Sequence, residues 1–265
     1  MPTKPYAGTQ SVRRAIALLK VFSDDRPDWG LTEIARAARL NKTTAYRLLT
    51  ALEAEGMVAR SSDGEAWRLG AGAIALGALA LRSNDLVSVA RPELELLVRD
   101  TGETATLEVL VGNEVLILDG AEGPSLVGAS TEIGTRWPAH ATSTGKVLLS
   151  HARPALRRAR RLRKLTPRTI TDPERLDREL ETVRARGWAS AIEELETGYV
   201  AIGAPILGHD GSAVAAISIG GPAARLNRDR LQELAARVVQ AAERTSRRLG
   251  ARAQGMRARP PGDRP

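Results

Sequence analysis

Cysteine is absent from all 265 residues. Its absence excludes disulfide staples, thiolate catalysis and cysteine-based zinc sites, and it suits a cytoplasmic protein. Histidine is nearly absent too, at three residues. No HExxH or comparable spacing links these histidines to carboxylates, so neither a metal site nor a cofactor is expected. Long apolar runs are missing as well. The longest, Gly70 to Leu81, is too short and too rich in small residues to span a bilayer. The first residues lack the charged-then-apolar pattern of a signal peptide. A soluble cytoplasmic chain with no membrane partner is the expectation.

The chain instead carries positive charge, with 39 Lys and Arg against 31 Asp and Glu, a formal net charge of +8. That excess favours a polyanionic partner, although an Arg- and Ala-rich composition raises the charge without one. The length allows two modest domains, each able to bury a core.

The most informative stretch is LTEIARAARLNKTTAYRLLTALEAEG, Leu31 to Gly56. Leu31, Ile34, Ala35 and Ala38 mark the inner face of one short helix, and Arg39-Leu40-Asn41 makes a turn. Ala45, Leu48, Leu49 and Leu52 then repeat at i, i+3, i+4 and i+7 in a second helix, which stops at Gly56. A helix capped by Ser11, with Val12, Ile16, Leu19 and Phe22 on one face, precedes them across an Asp24 to Gly30 loop. Two short runs, Met57 to Ser61 and Ala66 to Leu69, flank Asp63-Gly64 and read as a hairpin. Three helices and a hairpin form a winged helix-turn-helix, predicted over residues 1–69, whose third helix enters the major groove of double-stranded DNA.

A DNA reader needs cations for phosphates and short polar side chains for base edges. Asn41, Lys42, Thr43, Thr44, Tyr46 and Arg47 crowd the start of the third helix. Arg60 and Arg68 on the wing and Arg13 and Arg14 on the first helix are candidates for backbone contacts. Asn41 and Thr43 can equally serve as helix caps.

Residues 70–83 read as a linker helix. A further helix, broken or kinked at Pro92, runs to Gly102. From Glu103 the pattern becomes that of an α+β domain, predicted over 84–250. TATLEVLV and EVLILDG pair through Gly112-Asn113, and Ser125 to Ile133 is a third candidate strand. A helix begins near Thr142, and Asp172-Pro173 opens another with Leu176, Leu180 and Val183 inward. Strands resume at Trp188 to Glu194, Tyr199 to Leu207 and Ala213 to Ile219. Asn227 caps a final helix ending at Gly250. The tail, 251–265, is basic and expected to be disordered.

Nearly the whole chain resembles the IclR family of bacterial transcriptional regulators. SVRRAIALLKVF, the helix-turn-helix stretch and WRLGAGA match its DNA-binding half. TGETATLEVL, PAHATSTGKVLLS, TITDPERL, VRARGWA, EELETGYVAIGAPIL and AAISIGGPAARL then follow in the family's order. The resemblance implies a winged helix-turn-helix joined by a linker helix to a GAF-like effector domain. It also implies a homodimer or dimer-of-dimers tetramer on a palindromic operator, controlled by a small carboxylate. By position, Ser143 and Thr144 match residues that hold the carboxylate at a helix N-terminus, where N–H groups stand unpaired. Leu126, Ala129, Trp137 and Tyr199 match the pocket wall. Ala191 and Ala201 stand where relatives carry more polar groups, implying a larger, less polar pocket and a larger effector with Trp137 as its packing face.

A repressor of a catabolic operon is the reading this implies; an effector-dependent activator has the same architecture. A hydrolase would have to use His140 with Ser143, whose spacing fixes no geometry, and a packing role suits His140 better. Catalytic residues are therefore not expected. A nonspecific architectural binder would leave the second domain without purpose. The run from Arg153 to Arg168 holds eight basic residues and no acidic one. It reads as either a solvated face or an auxiliary DNA contact.

Overall fold

The computed structural model describes residues 9–23, 26–82, 85–123, 132–152 and 162–251. The chain divides into two compact units, Met1–Ser83 and Asn84–Pro265. Among the described residues no single helix is long and apolar enough to cross a membrane.

The first unit runs α1 (Thr9–Leu19), β1 (Trp29–Gly30), α2 (Leu31–Ala37), α3 (Lys42–Ala54), β2 (Val58–Arg60), β3 (Ala66–Leu69) and α4 (Ala71–Arg82). Its core gathers Leu18, Ile34, Ala35, Ala45, Leu49, Val58 and Trp67. Arg39, at φ 56°, turns the chain between α2 and α3, and Gly56, at φ 69°, ends the third helix. Three expectations need correction. The first helix starts at Thr9, so Ser11 lies inside it and caps nothing. Val12 and Ile16 are exposed rather than packed inward, at 60% and 45%. The Asp24 to Gly30 loop also ends in a strand: Trp29 and Gly30 pair with Trp67 and Ala66, giving a three-stranded sheet ordered β1-β3-β2. Two residues are too few to leave a period in the sequence.

The second unit runs α5 (Asp85–Thr101), β4 (Thr104–Val111), β5 (Glu114–Ala121), β6 (Arg136–Pro138), a 3-10 turn (Ala139–Ala141), α6 (Ser143–His151), α7 (Pro173–Arg186), β7 (Ala189–Ile192), β8 (Tyr199–Leu207), β9 (Ala213–Pro222) and α8 (Arg228–Arg248). Its six strands form one antiparallel sheet ordered β6-β5-β4-β9-β8-β7. Alternation along each strand gives the sheet two apolar faces. Leu107, Ile202, Ile206, Ile217 and Ile219 pack with α5 and α8 on one side. Val115, Ala189 and Ala216 pack with α6 and α7 on the other.

Of the break or kink expected at Pro92, the break does not occur: α5 is continuous through it. Pro92 is exposed, so its ring and missing N–H disturb the solvent face alone. Most of the candidate strand Ser125 to Ile133 cannot be compared. Residues 125–131 lie outside the described ones, Ile133 and Gly134 form a turn, and the next described strand is β6, three residues long. Residues 252–265, expected to be a disordered tail, also lie outside them.

Candidate functional site

In the first unit the Asn41 side chain accepts a 2.8 Å hydrogen bond from the Thr44 amide. It is therefore the N-cap that starts α3, as well as a neighbour of the surface that α3 presents. Inward-facing Ala45 and Leu49 fix the rotation of the helix. What remains outside is a stripe of Thr43, Tyr46, Arg47 and Thr50, all exposed, at the spacing that puts side chains on one helix face. Lys42 is exposed at its start. Thr50 is absent from the sequence-based candidates, although it lies one turn beyond Tyr46 and Arg47. No ion pair engages Lys42 or Arg47 among the described residues, so both charges face solvent.

The wing arginines are engaged differently. Arg60 lies 3.7 Å from the Trp67 ring centroid and donates to the Gly64 carbonyl at 3.2 Å. Arg68 grips Asp28 with two hydrogen bonds, at 3.0 and 3.3 Å. Both partners of that pair are largely exposed, and such surface pairs contribute little, so a phosphate can replace Asp28. Arg13 is exposed and Arg14 half-buried on α1.

In the second unit the N-terminus of α6 meets the sheet. Thr142 caps the helix, its hydroxyl accepting from the Gly145 amide. Among the described residues, Thr106, Glu108, Ile117, Trp137, Ala141, Thr142, Ser143, Thr144, Ala191, Leu195, Tyr199, Ala201 and Ser218 line a cavity there of about 30 Å³. Of the effector-site expectations, Trp137, Ser143, Thr144, Ala191, Tyr199 and Ala201 come together at it. Leu126 and Ala129 lie outside the described residues. Ala191 and Ala201 face the space, and Tyr199 lines it beside them. Its hydroxyl lies so close over Gly220 that a Cβ there would stand 1.8 Å away, so any larger residue at 220 would displace the Tyr199 ring. The lining is also rich in hydroxyls, and it contains an acid.

That acid, Glu108, is a lining residue that the sequence alone does not single out. Strand pairing sets Thr106 of β4 opposite Ser218 of β9 and Glu108 opposite Ala216. The Thr106 and Ser218 hydroxyls are 2.7 Å apart. One Glu108 oxygen accepts from Thr106 at 2.7 Å and the other from Thr144 at 2.5 Å. Burial pushes the Glu108 carboxyl above its usual range, only partly offset by these two hydroxyls. The Tyr199 phenol is likewise pushed up, first by burial and then by the charge of Glu108, and stays a hydrogen-bond donor. An acid at an alternating, inward position of an otherwise apolar strand is the available signal.

Behind the cavity Lys146 is 1% exposed, and its ammonium lies 2.6 Å from Glu194 and 3.8 Å from Glu179. The Glu194 carboxyl is raised by burial, which the charge of Lys146 counters. Thr166 and Thr169 donate to the carbonyls of Glu193 and Glu194 at 2.6 and 2.7 Å, holding the loop that carries Leu195. Arg168 pairs with Glu193 at 3.0 Å, so the end of the basic run is tied to this loop. Residues 153–161 of that run lie outside the described ones. His140 is buried, its Nε2 bonded to the Arg163 carbonyl at 2.9 Å, a packing role. No group of three or more His, Asp or Glu able to hold a metal ion occurs among the described residues.

A winged helix-turn-helix on the same chain as an α+β unit with a polar cavity defines a DNA-binding protein with a sensory half. The description "Bacterial transcriptional regulator IclR C-terminal" matches residues 78–247, and "IclR helix-turn-helix domain" matches residues 11–62. The chain belongs to the IclR family of transcriptional regulators, which is not a family of enzymes. It is 38% identical over 243 residues to the HTH-type transcriptional regulator BhcR of Paracoccus denitrificans, spanning 90% of this chain and 87% of that one. It is 32% identical over 255 residues to the transcriptional repressor IclR of Escherichia coli, spanning 94% and 93%. An IclR homolog from Microbacterium hydrocarbonoxydans, solved in complex with 4-hydroxybenzoate, superposes with a TM-score of 0.75 at 31% identity, covering 90% of this chain and 98% of that one.

Proposed function

We propose that this regulator is a site-specific repressor of a catabolic operon, released or recruited by a small organic carboxylate. In this reading residues 1–69 read operator DNA, 70–83 link, 84–250 bind the effector and 251–265 form a basic tail. The observation that carries it is the exposed stripe of Thr43, Tyr46, Arg47 and Thr50 on α3. Arg47 reads a guanine or a phosphate, Lys42, Thr43, Thr44 and Tyr46 hold the neighbouring backbone and base edges, and Arg13, Arg14, Arg60 and Arg68 brace phosphates. Asn41 contributes by holding the helix start. The repressor sign follows relatives named as repressors, including the acetate operon repressor of Salmonella typhimurium. The ligand class follows the α6 N-terminus and the homolog carrying 4-hydroxybenzoate. Such a protein works in the cytoplasm.

The test is an operator selected from genomic fragments and titrated by fluorescence anisotropy. Arg47→Ala should weaken binding by about 1–3 kcal/mol, roughly 5- to 150-fold. An unchanged affinity would remove Arg47 from the reader.

Pairing of two chains is supported by apolar side chains that the first unit leaves outside: Val12 and Ile16 on α1, and Ile74 and Leu76 on α4, the last two 71% and 56% exposed. Uncovered apolar area of this kind is characteristic of interaction surfaces. Ile74→Glu with Leu76→Glu should shift the protein toward monomer in sedimentation velocity and weaken operator binding at least tenfold. A doubly substituted chain that sediments as wild type would place the interface elsewhere.

A further inference from the structure

The cavity has an electrostatic peculiarity. Glu108 is the one carboxylic acid in its lining, and no Lys, Arg or His stands beside it there among the described residues. Nor do the charged groups on the elements around Glu108 turn toward it. Lys146 of α6 is spent on Glu194, and His151 sits at the opposite end of that helix. Asp119 of β5 is bound to Arg91, and Glu114 to Arg136 of β6. The β9 strand, AVAAISIGGP, has no charged residue at all. From β8 Tyr199 offers a neutral phenol. The partners of Glu108 are hydroxyls, Thr106 on one oxygen and Thr144 on the other. Because Thr144 belongs to the first turn of α6, Glu108 already occupies the place beside the helix N-terminus where an incoming anion would sit.

Two bare carboxylates in one desolvated space repel strongly, and two such groups a few ångströms apart do not both ionise. A carboxylate effector therefore cannot join an ionised Glu108 without a compensating charge, and a proton is the compensation available. We propose that Glu108 is the specificity-determining residue of the cavity and binds the effector as an acid pair, the two carboxyl groups sharing one proton taken from solvent. This rests on the reading that a carboxylate effector occupies the cavity. The pair accepts one proton and bears one negative charge, stabilised by the Thr106, Thr144 and Tyr199 hydroxyls and the α6 amides. The burial that raises Glu108 makes that proton easier to hold. The primary amide of the same acid brings its own N–H donors and needs no proton.

The test uses the full chain and a panel of probes, acetate, propionate, benzoate and 4-hydroxybenzoate, with acetamide, propionamide and benzamide, followed by isothermal calorimetry between pH 6 and 9. The acids should lose affinity as pH rises, approaching about tenfold per unit, and should take up close to one proton when measured in two buffers of different ionisation enthalpy. The amides should show neither effect. Glu108→Gln, which keeps a neutral donor, should bind the acids with a flat pH profile and exceed wild type at pH 9. Wild-type proton uptake is measured without any variant, so a poorly folded substitution does not shield the idea. Acids that bind wild type with no proton uptake, or the same pH slope in wild type and Glu108→Gln, would overturn it while leaving the effector reading intact. No binding by any acid would overturn both.

Discussion

Replacing Lys146 with methionine is expected to destabilise the second unit by about 3–5 kcal/mol, because one half of a buried ion pair is left behind. Lys146 and Glu194 are 1% and 10% exposed at their side chains, 2.6 Å apart. Among the described residues the second Glu194 oxygen has no hydrogen-bond partner, and Lys146 is the foremost group that opposes its burial. Methionine fills the stem of the lysine but leaves Glu194 facing Glu179 unaided. The pH dependence has a definite sign. Glu194 is raised by burial with Lys146 opposing, and without the lysine it stands higher still. A carboxyl whose folded value exceeds its unfolded one keeps its full stability in acid and loses it as pH climbs from the ordinary carboxylate range through the folded value. Thermal melts of Lys146→Met should therefore approach wild type near pH 4.5 and fall furthest behind it in alkaline buffer. Glu194→Gln added to Lys146→Met should recover part of the loss. A deficit equal at all pH values would mean that packing, and not the stranded charge, sets the cost.

The elements that carry their own period are legible in the amino-acid sequence. The third helix shows its inner face through Ala45 and Leu49 and its end through Gly56, and Asp172-Pro173 announces the start of α7. What escapes is set by partners distant in sequence. The first strand exists because Trp29 and Gly30 find Trp67 and Ala66, and nothing within Asp24 to Gly30 alternates. The cavity escapes in the same way. Thr106 and Ser218 meet because β9 inserts beside β4, and Thr144 arrives from a helix between them in sequence. Ala191 and Ala201 are legible as small positions, but that Tyr199 lies over Gly220 depends on the pairing of β8 with β9 and is not. The stripe on α3 is nearly complete from spacing alone, lacking only Thr50. The roles of Arg60 and Arg68 are not, since their partners Trp67 and Asp28 lie on other elements.

The same distant pairing makes Trp67→Ala the substitution that separates the two halves of the molecule. Trp67 is fully buried and is the only aromatic among the fully buried side chains of its cluster. It pairs with Trp29 on one side and Arg60 on the other, so its loss opens a void where all three strands meet. Large-to-small changes of this kind cost about 3–5 kcal/mol, a large fraction of what stabilises so small a unit. The ring also carries the Arg60 guanidinium, and the wing arginine loses its shelf along with the core. Operator binding should fall below detection at 37 °C, with fast amide exchange across Val58–Arg60 and Ala66–Leu69, while carboxylate binding in the second unit persists. Trp67→Phe should recover most of the stability. It largely refills the void and removes an indole N–H that, among the described residues, is buried without a partner, a group whose desolvation is costly. Full operator affinity in Trp67→Ala would show that the three-stranded sheet is not what holds α3 in place for DNA.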